Sequence, residues 1–170
     1  SLLLYLFLLC AETNFTFANP VMLRTADGNT AARLQAQGAR LVADYGSFQI
    51  LELDSALAVK AKAKADALQT GNHIQLHAGW IDTRGGKVGS LQRSSAPAAG
   101  RQLHLIQFVG PVKPEWHAAL ETSGVKVVAY IPQNAYLVQG AASNLAQMQA
   151  WAAKAVYVQW HGPYLGQYKI

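Results

Sequence analysis

Gly124-Val125-Lys126-Val127-Val128-Ala129-Tyr130-Ile131 decides the fold, because the chain uses its plan twice. Gly38-Ala39-Arg40-Leu41-Val42-Ala43-Asp44-Tyr45 has the same form, a glycine followed by an apolar run, 86 residues earlier. Another pair of segments keeps the order and nearly the spacing. Ile74-Gln75-Leu76-His77-Ala78 matches Val158-Gln159-Trp160-His161-Gly162 at an offset of 84 residues. Two ordered matches mark an internal repeat, and a repeat implies one supersecondary unit used twice.

Outward from Gly124, the second copy reads as strand, helix, strand, strand, helix, strand. Leu103 to Val109 is β-rich and is followed by Gly110 and Pro111. Pro114 suits the first turn of a helix, Glu115 its positive end, and Trp116 and Leu120 share one face. Gly124 closes that helix with a left-handed cap. Val125 to Ile131 and Ala135 to Gln139 are strands joined by the turn Pro132-Gln133-Asn134. Leu145, Met148 and Ala152 make the apolar stripe of a helix over 142–154, and 155–160 is the last strand. The first copy gives a strand at 21–25, a helix near 30–37 ended by Gly38, and strands at 39–44 and 48–53. A helix capped by Asp54 or Ser55 then runs to about Gln69, and 73–77 closes the unit. The expected fold class is α+β: two tandem ferredoxin-like βαββαβ units, each a four-stranded antiparallel sheet with two helices on one face. The expected boundaries are a signal peptide at 1–18, units at 20–79 and 102–163 joined by a linker at 80–101, and a tail at 164–170.

Half of the 170 residues are hydrophobic (51%) and 14% are charged, which excludes a disordered chain. The formal net charge of +5 is scattered, and its densest cluster, Lys60, Lys62 and Lys64, alternates with alanine as on a solvated helix side. A nucleic-acid footprint needs a contiguous patch, so no nucleic-acid partner is expected. The apolar run 2–10 has signal-peptide length and is too short to span a bilayer, and Thr16-Phe17-Ala18 offers small residues for cleavage. The expectation is export, with no membrane association after cleavage. Cys10 would leave with the signal, so the mature chain would have no disulfide framework and would rest on core burial.

Candidate chemistry is sparse. Asp82, Ser95 and His161 supply the residue types of a hydrolytic triad, but the first two fall in the linker and no Gly-x-Ser-x-Gly elbow exists. His73 and His77 lie on one strand face roughly 13 Å apart, too far to share a metal ion. His104, His117 and His161 have no carboxylate or second histidine nearby in sequence and are expected at the surface or half-buried. Gly85-Gly86 is not placed between a strand and a helix, so it cradles no phosphate. No catalytic residue, metal or cofactor is expected. Trp151 and Tyr157 are expected in the core. The segment Gly162, Pro163, Tyr164, Leu165, Gly166, Gln167, Tyr168 is the candidate binding element, with 164–170 expected to be exposed as a peptide-like ligand.

Several strings resemble a known family. Arg101 through Pro111 with Lys113-Pro114-Glu115-Trp116, and Gly124 through Val138, resemble the N-terminal region of large secreted bacterial subtilisin-like serine proteases. Val158-Gln159-Trp160, Gly162-Pro163-Tyr164, Tyr168-Lys169-Ile170 and Ile81-Asp82-Thr83-Arg84 fit the same pattern. The resemblance implies a prodomain: an intramolecular chaperone and inhibitor whose sheet docks on the catalytic domain and whose tail lies along the substrate cleft. It implies a cognate subtilisin-like catalytic domain in cis as partner, beyond Ile170, because the protease's Asp-Thr-Gly, His-Gly-Thr and Gly-Thr-Ser-Met-Ala motifs are absent here. This chain itself is then no enzyme, although its parent is a serine peptidase. The alternative is a structural or adhesive extracellular module retained in the mature protein.

Overall fold

A computed structural model of the chain describes residues 20–61, 72–77, 79–83, 100–165 and 168. The segment 1–18 expected to be a signal peptide, the expected extension of the second helix to Gln69, Ser95 and most of the expected linker lie outside the described residues.

The elements in chain order are β1 (Val21–Thr25), α1 (Gly28–Ala36), β2 (Arg40–Asp44), β3 (Gln49–Leu53) and α2 (Ser55–Ala61). Then follow β4 (His73–Leu76), β5 (Gly79–Asp82), β6 (Gln102–Phe108), α3 (Pro114–Thr122), β7 (Lys126–Ile131), β8 (Ala135–Gly140), α4 (Ala142–Lys154) and β9 (Val158–Pro163). Local chemistry accounts for the ends. Asp27 caps α1 through Asn29 N–H and the Thr30 hydroxyl, and these two bonds, the hydroxyl first, hold its carboxyl below the usual range. Asp54, not Ser55, caps α2 by accepting from Leu57 N–H at 2.7 Å. Gly124, at φ +77°, reverses the chain after α3.

Two four-stranded sheets do not form. Among the described residues nine strands make three sheets: a three-stranded sheet ordered β1-β3-β2, a two-stranded hairpin β4-β5, and a four-stranded sheet ordered β7-β8-β6-β9. The expected tandem of ferredoxin-like units therefore fails at β4. The repeat makes β4 the counterpart of β9, which lies beside β6; β4 does not lie beside β1 but pairs antiparallel with β5, Ile74 opposite Ile81. Residues 80–82, placed in the linker on composition, belong to that partner strand, Gly79–Asp82.

Burial explains the choice. The four-stranded sheet is apolar on both faces. Ile106, Phe108, Val138 and Val158 face α3 and α4 in one core, with Trp116, Leu120, Leu145 and Met148. Leu105, Ile131, Ala135, Leu137 and Trp160 line the opposite face, which the helices cannot reach. The hairpin covers that face with Ile74, Leu76 and Ile81 while Gln75, Trp80 and Asp82 point to solvent. A hairpin closed by a short loop costs little loop entropy, whereas β1 is about fifty residues away from β4 in sequence. The three-stranded sheet is two-sided as well. Leu23, Leu51 and Leu53 pack against Ala31, Leu34 and Leu57. Its other face sends Ala43 and Ile50 into the larger core, and the Tyr45 hydroxyl donates to Pro111 O at 2.6 Å. Burial there, with Glu115 nearby, pushes the Tyr45 phenol up to about 12.

Candidate functional site

The candidate segment divides between a strand and a turn. Gly162 and Pro163 belong to β9, an edge strand of the four-stranded sheet, opposite Leu105 and His104. Gly162 leaves room for a neighbour: a Cβ there would come within 2.6 Å of the Trp160 ring. Tyr164 N–H donates to Leu103 O at 3.1 Å and so continues the ladder one residue beyond β9. The chain then folds back. Tyr168 N–H donates to Leu165 O at 2.8 Å, and the Tyr164 hydroxyl donates to Tyr168 O at 3.0 Å. The two tyrosine rings meet edge-on with centroids 5.9 Å apart and pack against the cluster that holds Leu105 and Trp160. The described part of the tail is therefore half-buried, not exposed as its position after the last strand suggested. Gly166 and Gln167 lie outside the described residues.

A polar cluster joins the hairpin to the sheet. Gln107 is fully buried, and its side-chain amide donates to His73 O at 3.0 Å and to Gln133 O at 2.9 Å. The Gln159 amide lies within 3.4 Å of acceptors on Asn72, Thr83 and Gln107. Gln133 and Asn134 hold left-handed backbone in the β7–β8 turn. Gln107 binds the first carbonyl, and Phe108 N–H binds the second at 2.9 Å. A polar residue inside the run Leu105-Ile106-Gln107-Phe108 signals such a role, since a buried amide in an apolar strand demands partners.

The helix-facing side of the sheet carries a second polar feature. His104 stands opposite Val138 and His161 opposite Ile106, which sets both rings on the face that α3 and α4 cover. His104 Nε2 and His161 Nδ1 are 3.2 Å apart, and each residue is 3% exposed. Sequence reading put both at or near the surface with no partner. Antiparallel pairing of the first strand with the last joins them, because the start of β6 then lies beside the end of β9. Burial first, and His161 second, push the His104 imidazole down to about 3.

No triad assembles from the residues drafted for one. Asp82 is exposed on the hairpin, which covers one face of the four-stranded sheet, and His161 is buried on the other face. His73 is half-buried with its ring edge-on to Trp80 at 6.3 Å, and His77 is exposed. Among the described residues no group of three His, Cys, Asp or Glu side chains converges as a metal site.

No curated protein and no solved structure matches the chain. The family model of a domain of unknown function, DUF8729, matches residues 59–165. That span begins inside α2, takes in the hairpin and the whole four-stranded sheet, and omits β1, α1, β2 and β3. With most of its length matched, the chain belongs to the DUF8729 family.

Proposed function

We propose that this chain is the non-catalytic N-terminal prodomain, a folding assistant and inhibitor, of a secreted subtilisin-like serine endopeptidase. The observation that carries the reading is the position of the tail. The chain leaves an edge strand at Pro163 and enters a tyrosine-bearing segment in which the Tyr164 hydroxyl donates to Tyr168 O and Tyr168 N–H donates to Leu165 O. A segment tethered at a sheet edge and folded back on itself by local hydrogen bonds opens into the extended form that a peptidase cleft binds without disturbing the sheet. The strings that resemble subtilisin-like precursors support the same reading. They fall on β6 and α3, on β7 and β8, and on β9 with its tail.

The packing alters one expectation carried by that resemblance. The sheet face that would dock on the catalytic domain is covered by β4 and β5. The docking contact in this proposal therefore consists of the tail and the outer side of the hairpin, where Trp80 is 64% exposed. Large exposed aromatics of this kind are frequent anchors of protein contacts.

The test is inhibition of a subtilisin-like protease by the full chain and by a chain lacking residues 164–170. Slowly reversed inhibition that disappears with the tail is the expected result. Degradation without inhibition would move the reading to a retained structural or adhesive module. Tyr164→Phe sharpens the test, because it keeps the ring and removes the hydroxyl that folds the tail back. Losing that bond favours the open tail by about 1 kcal/mol, so inhibition should tighten roughly fivefold where opening limits binding.

A further inference from the structure

We propose that His104 and His161 form an acid-sensitive clasp that holds β9, and with it the tail at 164–168, on the four-stranded sheet. The inference rests on reading that tail as the functional segment and adds its regulation.

The geometry fixes the chemistry. Two imidazoles 3.2 Å apart share one N–H···N bond only when one nitrogen donates and the other accepts. The bond crosses from β6 to β9, and β9 has no other strand of the sheet beside it. A first proton places a cation among Val138, Ile106 and the α4 layer, away from water. A second proton makes both facing nitrogens donors, so the bond is lost and the two rings repel. Either event weakens the attachment of β9.

The charged groups around His104 do not offset this. Val138 on β8 and Pro163 on β9 stand opposite His104 and carry no charge. α4 packs on β8 and β9, and its one charged residue, Lys154, is exposed in the last turn beside the start of β9. On α3, Glu115 and Glu121 are exposed, and His117 lies 3.6 Å from Glu121. β7 contributes exposed Lys126 and Tyr130, and on β8 Tyr136 stands opposite Ile106, in the same cross-strand row as His161, with a phenol that burial first and Tyr130 second push up, so that it carries no charge in this range. The charge that acts on His104 is that of His161.

The direction of the response follows. An unfolded imidazole titrates near 6.5 and the buried His104 only near 3, so between these values the unfolded chain binds the extra proton. Stability is complete above about pH 6.5 and declines as the pH falls toward 3, by about tenfold in the folding constant per pH unit.

The experiment measures denaturant unfolding of the full chain from pH 7.5 to pH 4.5, for the natural sequence and for His104→Gln. The folding constant of the natural chain relative to the variant should fall about tenfold per unit below pH 6.5. An identical pH dependence in both chains would overturn the clasp. Two measurements on the natural chain cover a variant that fails to fold. The His104 ring resonance should stay constant down to pH 5; titration of His104 near 6.5 would contradict the inference. Amide exchange in β9 and Tyr164 should accelerate on acidification before that of β8, and equal acceleration throughout the sheet would also contradict it. The two readings fail separately. Absence of tail-dependent inhibition at every pH removes the prodomain and leaves the acid response in place, whereas a flat acid response removes the clasp alone.

Discussion

Phe108→Ala is expected to destabilise the chain by about 3–5 kcal/mol, the range for deleting a buried aromatic ring. Phe108 is 1% exposed and sits where the helical layer meets the sheet. Its ring lies nearly parallel to Trp116 at 6.0 Å and to Tyr157 at 6.5 Å, and edge-on to Tyr136 at 6.2 Å. Trp116 and Tyr157 themselves stack at 4.7 Å. Removing Phe108 therefore leaves a cavity walled by three rigid rings, which cannot collapse far to fill it. The same core receives Ala43 and Ile50 from the three-stranded sheet, so the loss should appear in one cooperative transition. Urea unfolding of the full chain checks this. Phe108→Leu, which keeps most of the volume, should cost about a third as much, and a loss below about 1 kcal/mol for the alanine variant would show that this cluster is not the main core.

Gln107→Leu should cost about 2–4 kcal/mol, since two carbonyls lose their donor and each buried group left unpaired costs about 1–3 kcal/mol. The expected pattern matters more than the sum. Gln107 ties the hairpin at His73 and the β7–β8 turn at Gln133, so both should loosen while the central pair β6–β8 holds. Amide exchange at 73–76 and 79–82 should accelerate most. Uniform acceleration over all four strands of the larger sheet would mean that the hairpin is not separately held.

Local features of the fold were readable in the residues. Pro114 and Glu115 mark the start of α3, Gly124 its end, and Leu145, Met148 and Ala152 the buried side of α4. These features depend on neighbours within one or two turns. The pairing of β4 depends on something more distant, namely how much apolar surface the other sheet leaves uncovered. Gly79-Trp80-Ile81-Asp82 alternates as a strand does, but four residues beside a Gly- and Ser-rich stretch read as linker composition. The repeat then pointed the wrong way, because sequence similarity between β4 and β9 says nothing about which sheet will accept β4.

The site divides along the same line. The tail was placed from its position after the last strand, yet its fold-back rests on a tyrosine hydroxyl reaching a carbonyl four residues on, which composition does not reveal. The histidine pair spans 57 residues. Its signal was the topology itself: in an antiparallel pairing of the first and last strands, a residue near the start of one meets a residue near the end of the other.

The most direct test of the central claim is binding of the full chain to a subtilisin-like protease whose active-site serine has been covalently blocked, compared with the open enzyme. If the tail occupies the cleft, the open enzyme should bind the chain and slow amide exchange at 164–168, and the blocked enzyme should lose both effects. Equal binding to the two enzymes, with no change at 164–168, would contradict the account.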